Sequence, residues 1–105
     1  MISQDDVEKA VDFIRDHASK MGVSKATVTY LEEYRKSKKA LLIQKAGKGT
    51  VSERESFAYA HPEYLEVLDG LRAAVEEHET LRWLMIAAQT KIEAWQTQSA
   101  NELRF

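Results

Sequence analysis

Between Tyr34 and Thr50 the chain carries six Lys/Arg side chains and no Asp or Glu: Arg35, Lys36, Lys38, Lys39, Lys45 and Lys48. Cations clustered in this way can displace counterions from a phosphate backbone, giving sequence-independent, salt-sensitive binding to nucleic acid. Tyr30 and Tyr34, about one helical turn apart, could stack on bases beside them. The same block also suits a solvated face that balances acidic neighbours. Residues 1–33 carry seven Asp/Glu against four Lys/Arg, and residues 51–105 carry ten against five. Charge runs are more often of this second kind. Nucleic-acid binding is therefore the alternative reading, with Arg35, Lys36, Lys39, Lys45 and Lys48 as its contact residues.

Other candidate chemistry is sparse. Gly47-Lys48-Gly49-Thr50 has the residue types of a phosphate-binding loop, but the Lys precedes the second Gly and no strand pattern leads into it, so an interhelical turn is expected. The histidines His17, His61 and His78 have no second His at metal-ligand spacing. Asp12 and Asp16 beside His17 read as surface carboxylates, and His78 as a core or interface histidine. Glu76, Glu77 and Glu79 would need a pocket and shifted pKa values to act as acid or base. There is no cysteine, hence no disulfide, thiolate metal site or Cys nucleophile. No catalytic residue, cofactor or metal is expected, and the chain is not expected to be an enzyme.

The elements that carry these residues are helical throughout. Ser3 ahead of Asp5, Asp6 and Glu8 predicts an N-cap with a favourable acidic first turn. Val7, Val11, Ile14, Ala18 and Met21 follow as one apolar stripe, and Gly22 predicts a stop, giving a helix over about 4–21. Ser24 can cap a second helix over about 25–46. On it Thr27, Tyr30, Leu31, Tyr34, Leu41 and Leu42 share a face, so the tyrosines are read as core. Lys38 and Lys45 fall inside that arc and must snorkel or meet acids on a partner helix. Thr50-Val51-Ser52-Glu53 fits a capping box and predicts a helix over 51–60. Pro62 then bends the chain and opens a long helix over 62–100.

That last helix carries Tyr64, Leu68, Leu71, Val75, His78, Leu81, Met85, Ala88, Ile92, Trp95 and Ser99. The two three-residue steps around His78 interrupt strict heptads. This predicts an all-α fold: a single domain over 1–105, an elongated helical hairpin or bundle with one long C-terminal helix and coiled-coil-like packing. At about 1.5 Å per residue the last helix is longer than either predicted helix before it. Trp83-Leu84-Met85-Ile86 is apolar on every side of the helix. A homodimer packed through Leu81, Trp83, Met85, Ile86, Ile92 and Trp95 is therefore expected.

The start Met1-Ile2-Ser3-Gln4 lacks the basic region and apolar run of a signal peptide, and no stretch approaches about 18 uncharged apolar residues. A cytoplasmic location without membrane contact is expected. The run Thr50-Val51-Ser52-Glu53-Arg54-Glu55, with Ala58, Ala60, His61-Pro62-Glu63-Tyr64, Leu81-Arg82 and Ile92-Glu93-Ala94-Trp95, resembles small helical proteins encoded by bacteriophages and prophages. The resemblance covers roughly residues 45–100, with His61 where that pattern carries an Asp cap. Such proteins often sit near recombination or single-strand-binding genes. The resemblance implies a non-enzymatic accessory or adaptor protein with a host or phage protein as partner, or an accessory role in DNA metabolism.

Overall fold

The structure, a computed structural model, describes residues 1–103, with α1 over Gln4–Ala46, α2 over Val51–Ala60 and α3 over Pro62–Glu102. The fold is all-α, with a long C-terminal helix and no strand among the described residues.

The stop expected at Gly22 does not occur, and the two helices expected over 4–21 and 25–46 are one. Burial shows why. Along α1 the buried and half-buried side chains Val7, Ala10, Ile14, His17, Met21, Ser24, Val28, Leu31, Arg35, Lys38 and Leu42 follow one another in alternating steps of three and four. The frame crosses Gly22 without slipping, so continuing the helix keeps one face buried on both sides of it. The glycine penalty of about 1 kcal/mol is small against that gain. Ser24 is thus a buried residue within the helix and not a cap. The same frame turns Val11 and Ala18 outward, where the sequence reading had placed them inside.

On α3 the inward line is Tyr64, Val67, Leu71, Ala74, His78, Leu81, Met85, Ala88, Ile92, Trp95 and Ser99. Val67 takes the inward position beside Leu68, which stays half-buried against the core, and Ala74 replaces Val75 of the expected stripe. The seven-residue spacing is consequently unbroken, and the predicted interruption around His78 disappears. Ala74 is half-buried at this position, and a search for large apolar residues overlooks it.

The helix ends follow local chemistry. Asp6 N–H donates to Ser3 Oγ at 3.1 Å while Ser3 N–H donates to the Asp6 carboxylate at 3.0 Å, a reciprocal cap. Hydrogen bonding from the Ser3 backbone N–H, and next from the Ser3 side chain, holds the Asp6 carboxyl below its ordinary value. Thr50 Oγ1 accepts the Glu53 N–H at 3.1 Å and starts α2. His61 is extended, and its Nδ1 accepts the Glu63 N–H at 3.1 Å, so the imidazole caps α3 just ahead of Pro62.

Packing groups the chain into two compact units, one of Met1–Val23 with the chain from His78 onward, the other of Ser24–Glu77. In the first, α1 and α3 run antiparallel: Gln98 Nε2 donates to the Ile2 carbonyl at 3.2 Å, and Ala10 shares a groove with Ala87 and Ala88. Ala10, Leu81 and Ala88 form its buried positions. Phe13 stacks on His17 with ring centroids 4.1 Å apart, and His17 Nδ1–H donates to the Phe13 carbonyl at 2.9 Å.

In the second unit α2 closes a three-helix core of Leu42, Ala58 and Tyr64, flanked by Ile43 and Leu68. Ala58 is fully buried, so any larger side chain there must displace a neighbour. Tyr59 meets Tyr64 edge-on at 5.5 Å between centroids, and the Lys39 ammonium both donates to Tyr59 Oη and lies 4.3 Å from its ring centroid. These contacts fasten α2 to α1 and α3 beyond its apolar burial.

Candidate interaction surfaces

In the first unit, helical phase divides the expected dimer residues between two sides of α3. Leu81, Met85, Ile92 and Trp95 lie on the inward line. Leu81 is only 7% exposed and is used within its own chain, which removes it from an interface with a second copy. Trp83 points the other way and is 60% exposed, with Leu84 beside it also open to solvent. Ile86 is half-buried.

Trp83 belongs to a second line on α3, Thr80, Trp83, Ala87, Thr90 and Ala94, which holds no charge for about four turns. The outer face of α3 over residues 63–77 is different in kind, with Glu63, Glu66, Asp69, Arg72, Glu76 and Glu77. A solvated helix face normally looks like the latter. The Arg82 guanidinium lies 4.9 Å from the centroid of the Trp83 ring and is itself paired with Glu79 at 3.1 Å. Beside it, Lys9, Ala10 and Phe13 of α1 and Leu84, Ala87, Ala88 and Lys91 of α3 line a shallow groove of about 260 Å³.

The basic block is less open than its sequence suggests. Arg35 and Lys38 occupy inward positions of α1. Lys38 pairs with Glu63 at 2.9 Å, as its place inside the apolar arc required. Glu63 raises the Lys38 pKa through this hydrogen bond, and Lys38 lowers that of Glu63. Lys36 pairs with Glu33 at 3.2 Å and Lys39 is held by Tyr59, which raises the Lys39 pKa. Lys45 and Lys48 remain exposed at the end of α1 and in the following turn. In that turn Gly47 and Gly49 take φ of 72° and 131°, which reverse the chain ahead of the Thr50 cap.

The sequence reading missed a surface on the second unit. Tyr30 and Leu41, read as core, are 65% and 60% exposed, and Tyr34 is also exposed. Of the expected face, the unbroken frame of α1 keeps Leu31 and Leu42 inside and adds Val28. Tyr30 and Tyr34 stack on each other with centroids 5.9 Å apart. Tyr34 borders a groove of about 420 Å³ with Leu31, Lys38, Glu63, Glu66, Val67 and Gly70. Thr27, Tyr30, Tyr34, Ser37 and Leu41 recur in steps of three and four along this outward side of α1.

Among the described residues no group of three His, Asp or Glu is placed to hold a metal ion. Asp12 and Asp16, the carboxylates considered with His17, both bind Arg15, at 2.9 and 3.3 Å. No helix formed by the described residues is long and apolar enough to cross a membrane. Compared with protein families, curated proteins and solved structures, the chain matches none of them, so the likeness to phage-encoded helical proteins rests on its motifs alone.

Proposed function

We propose that the chain is a non-enzymatic helical interaction protein, an accessory or adaptor of the phage type, which pairs with a second copy of itself through the outward face of α3 around Trp83. The observation that carries this reading is Trp83 itself, 60% exposed in a line without charges. An exposed indole on a neutral helix face is the composition of an interface centre, where aromatic residues are enriched and charges depleted. Leu84 and Ile86 extend the apolar area to either side. A twofold arrangement would bring each Trp83 against the small residues Ala87 and Thr90, which let two helix backbones approach closely.

Nucleic-acid binding by the basic block is the weaker reading. Lys38 and Lys39 are engaged by Glu63 and Tyr59, and the exposed Lys36 is paired with Glu33, while Lys45 and Lys48 lie exposed at the end of the block. Light scattering tests the first reading and labelled DNA the second. The parent protein should be a dimer, and Trp83→Ala with Ile86→Ala should shift it to a folded monomer; a monomeric parent overturns the proposal. Salt-dependent binding of single- or double-stranded DNA that Lys36/Lys39/Lys48→Glu abolishes would replace it with the nucleic-acid reading.

A further inference from the structure

His61 holds both sides of the joint between α2 and α3. Its own N–H donates to the Ala58 carbonyl at 3.3 Å and closes α2. Over the first residues of α3, Pro62 has no N–H to offer and the next three N–H groups all end on His61. Those of Tyr64 and Leu65 donate to its carbonyl at 3.0 and 3.1 Å, and that of Glu63 donates to its Nδ1 at 3.1 Å. Of these bonds, the one from Glu63 depends on the side chain.

A backbone N–H can only donate, so the Nδ1 that faces it is unprotonated and the neutral ring carries its proton on Nε2. A protonated imidazole has N–H on both nitrogens and offers no acceptor, whichever way the ring is turned. His17 is the contrast within the same chain. Its Nδ1–H donates to the Phe13 carbonyl at 2.9 Å, a bond that protonation leaves in place. The surroundings of His61 also disfavour a cation. It sits at the N-terminus of α3, the positive end of the helix dipole. Glu63 on α3 attracts such a cation, but that carboxylate is already bound by Lys38 of α1 at 2.9 Å and lies in the field of Lys45. From α2 comes the uncharged Phe57 ring, edge-on with centroids 5.5 Å apart.

We propose that His61 is a proton-sensitive cap, whose protonation takes the acceptor from the Glu63 N–H and loosens the joint between α2 and α3. Histidine gains its charge in mildly acidic solution, so the device works close to neutral pH. Ala58 packs on Leu42 and Tyr64 in the core of this unit, and a looser joint weakens that seat of α2. The contacts of Tyr59 with Lys39 and Tyr64 do not involve the imidazole, so they keep α2 attached. Proton concentration thereby sets how firmly α2 covers the core of the second unit. This does not depend on pairing through Trp83, which lies in the other unit.

Nitrogen-resolved NMR of the full chain tests the proposal. At neutral pH the His61 ring should show the proton on Nε2. Between about pH 7.5 and about pH 5.5, amide exchange corrected for its intrinsic rate should quicken at Glu63 and over residues 58–60. The expected change at Glu63 is about fivefold, the typical worth of an N-cap bond. In His61→Asn the side-chain oxygen accepts the Glu63 N–H at either pH, and the acid-induced quickening should disappear. A proton on Nδ1 at neutral pH overturns the proposal, as does exchange at Glu63 that does not quicken in acid. Equal quickening in the parent and in His61→Asn assigns the effect to other titrating groups, such as His17 or His78, and also overturns it. The ring tautomer and the exchange at Glu63 are read on the parent alone, so they decide the matter even if the variant fails to fold.

Discussion

The Lys38 ammonium lies 2.9 Å from the Glu63 carboxylate, on a position of α1 that its seven-residue spacing assigns to the inside of the helix pair. The pair links α1 to the start of α3 within the second unit, beside the core of Leu42, Ala58 and Tyr64. The pair is partly open to water, with Lys38 22% and Glu63 48% exposed, so its worth is that of a screened surface pair. Glu63→Gln should lower the stability only slightly at neutral pH, because water and salt screen the pair.

The pH dependence of that difference follows from the two shifts. Glu63 has a folded pKa below its ordinary 4.5, so its contribution is complete above that value and is lost as the pH falls through the folded pKa. Lys38 has a folded pKa above its ordinary 10.5, so its contribution is complete below that value and is lost as the pH rises through the folded pKa. Urea denaturation should show parent and Glu63→Gln converging in strong acid and again in strong base. A difference that stays constant across this range would show that the ion pair is not its source.

Gly22→Ala and Gly70→Ala should each stabilise the protein by roughly 0.5–1 kcal/mol. Both glycines lie inside helices, and neither has an atom within 4 Å of its added Cβ. Thermal unfolding followed by circular dichroism reads the effect as a rise in Tm. A fall for Gly22→Ala would mean that the helix is not continuous through that residue.

Leu81 and Trp83 should separate cleanly when each is cut back to alanine. Leu81→Ala removes a buried side chain and should cost about 2–4 kcal/mol in chemical denaturation. Trp83→Ala removes a mostly exposed one and should leave the unfolding free energy of the monomeric unit within about 1 kcal/mol while weakening self-association. Equal losses for the two would contradict the phase of α3 described above.

Thr50→Ala should destabilise α2 by about 1 kcal/mol, since Thr50 Oγ1 accepts the Glu53 N–H. Hydrogen exchange should quicken first at the amides of residues 52–55. Uniform protection across α2 in the variant would mean that burial of Ala58 alone holds the helix in place.

Much of the fold is written in local chemistry. The caps at Ser3 and Thr50, the restart at Pro62 and the helical character of every long segment depend on residues within a few positions of one another, and the sequence states them directly. The pairing of Lys38 with an acid was foreseeable for a similar reason, because a cation inside an apolar arc has few alternatives. The phase of the long helices was not. Gly22 with Ser24 reads as a break by its own chemistry, and Tyr30, Tyr34 and Leu41 read as core by their hydrophobicity. Only the tertiary packing decided otherwise, because burying one uninterrupted line on α1 and one on α3 outweighs a glycine penalty and accepts Ala74, Arg35 and Lys38 inside. By itself, then, the sequence determined the starts at Ser3, Thr50 and Pro62 and that the helices must pair. The packing decided which side of each helix is spent within the chain, and so left Trp83 on one unit and the Tyr34 groove on the other facing solvent.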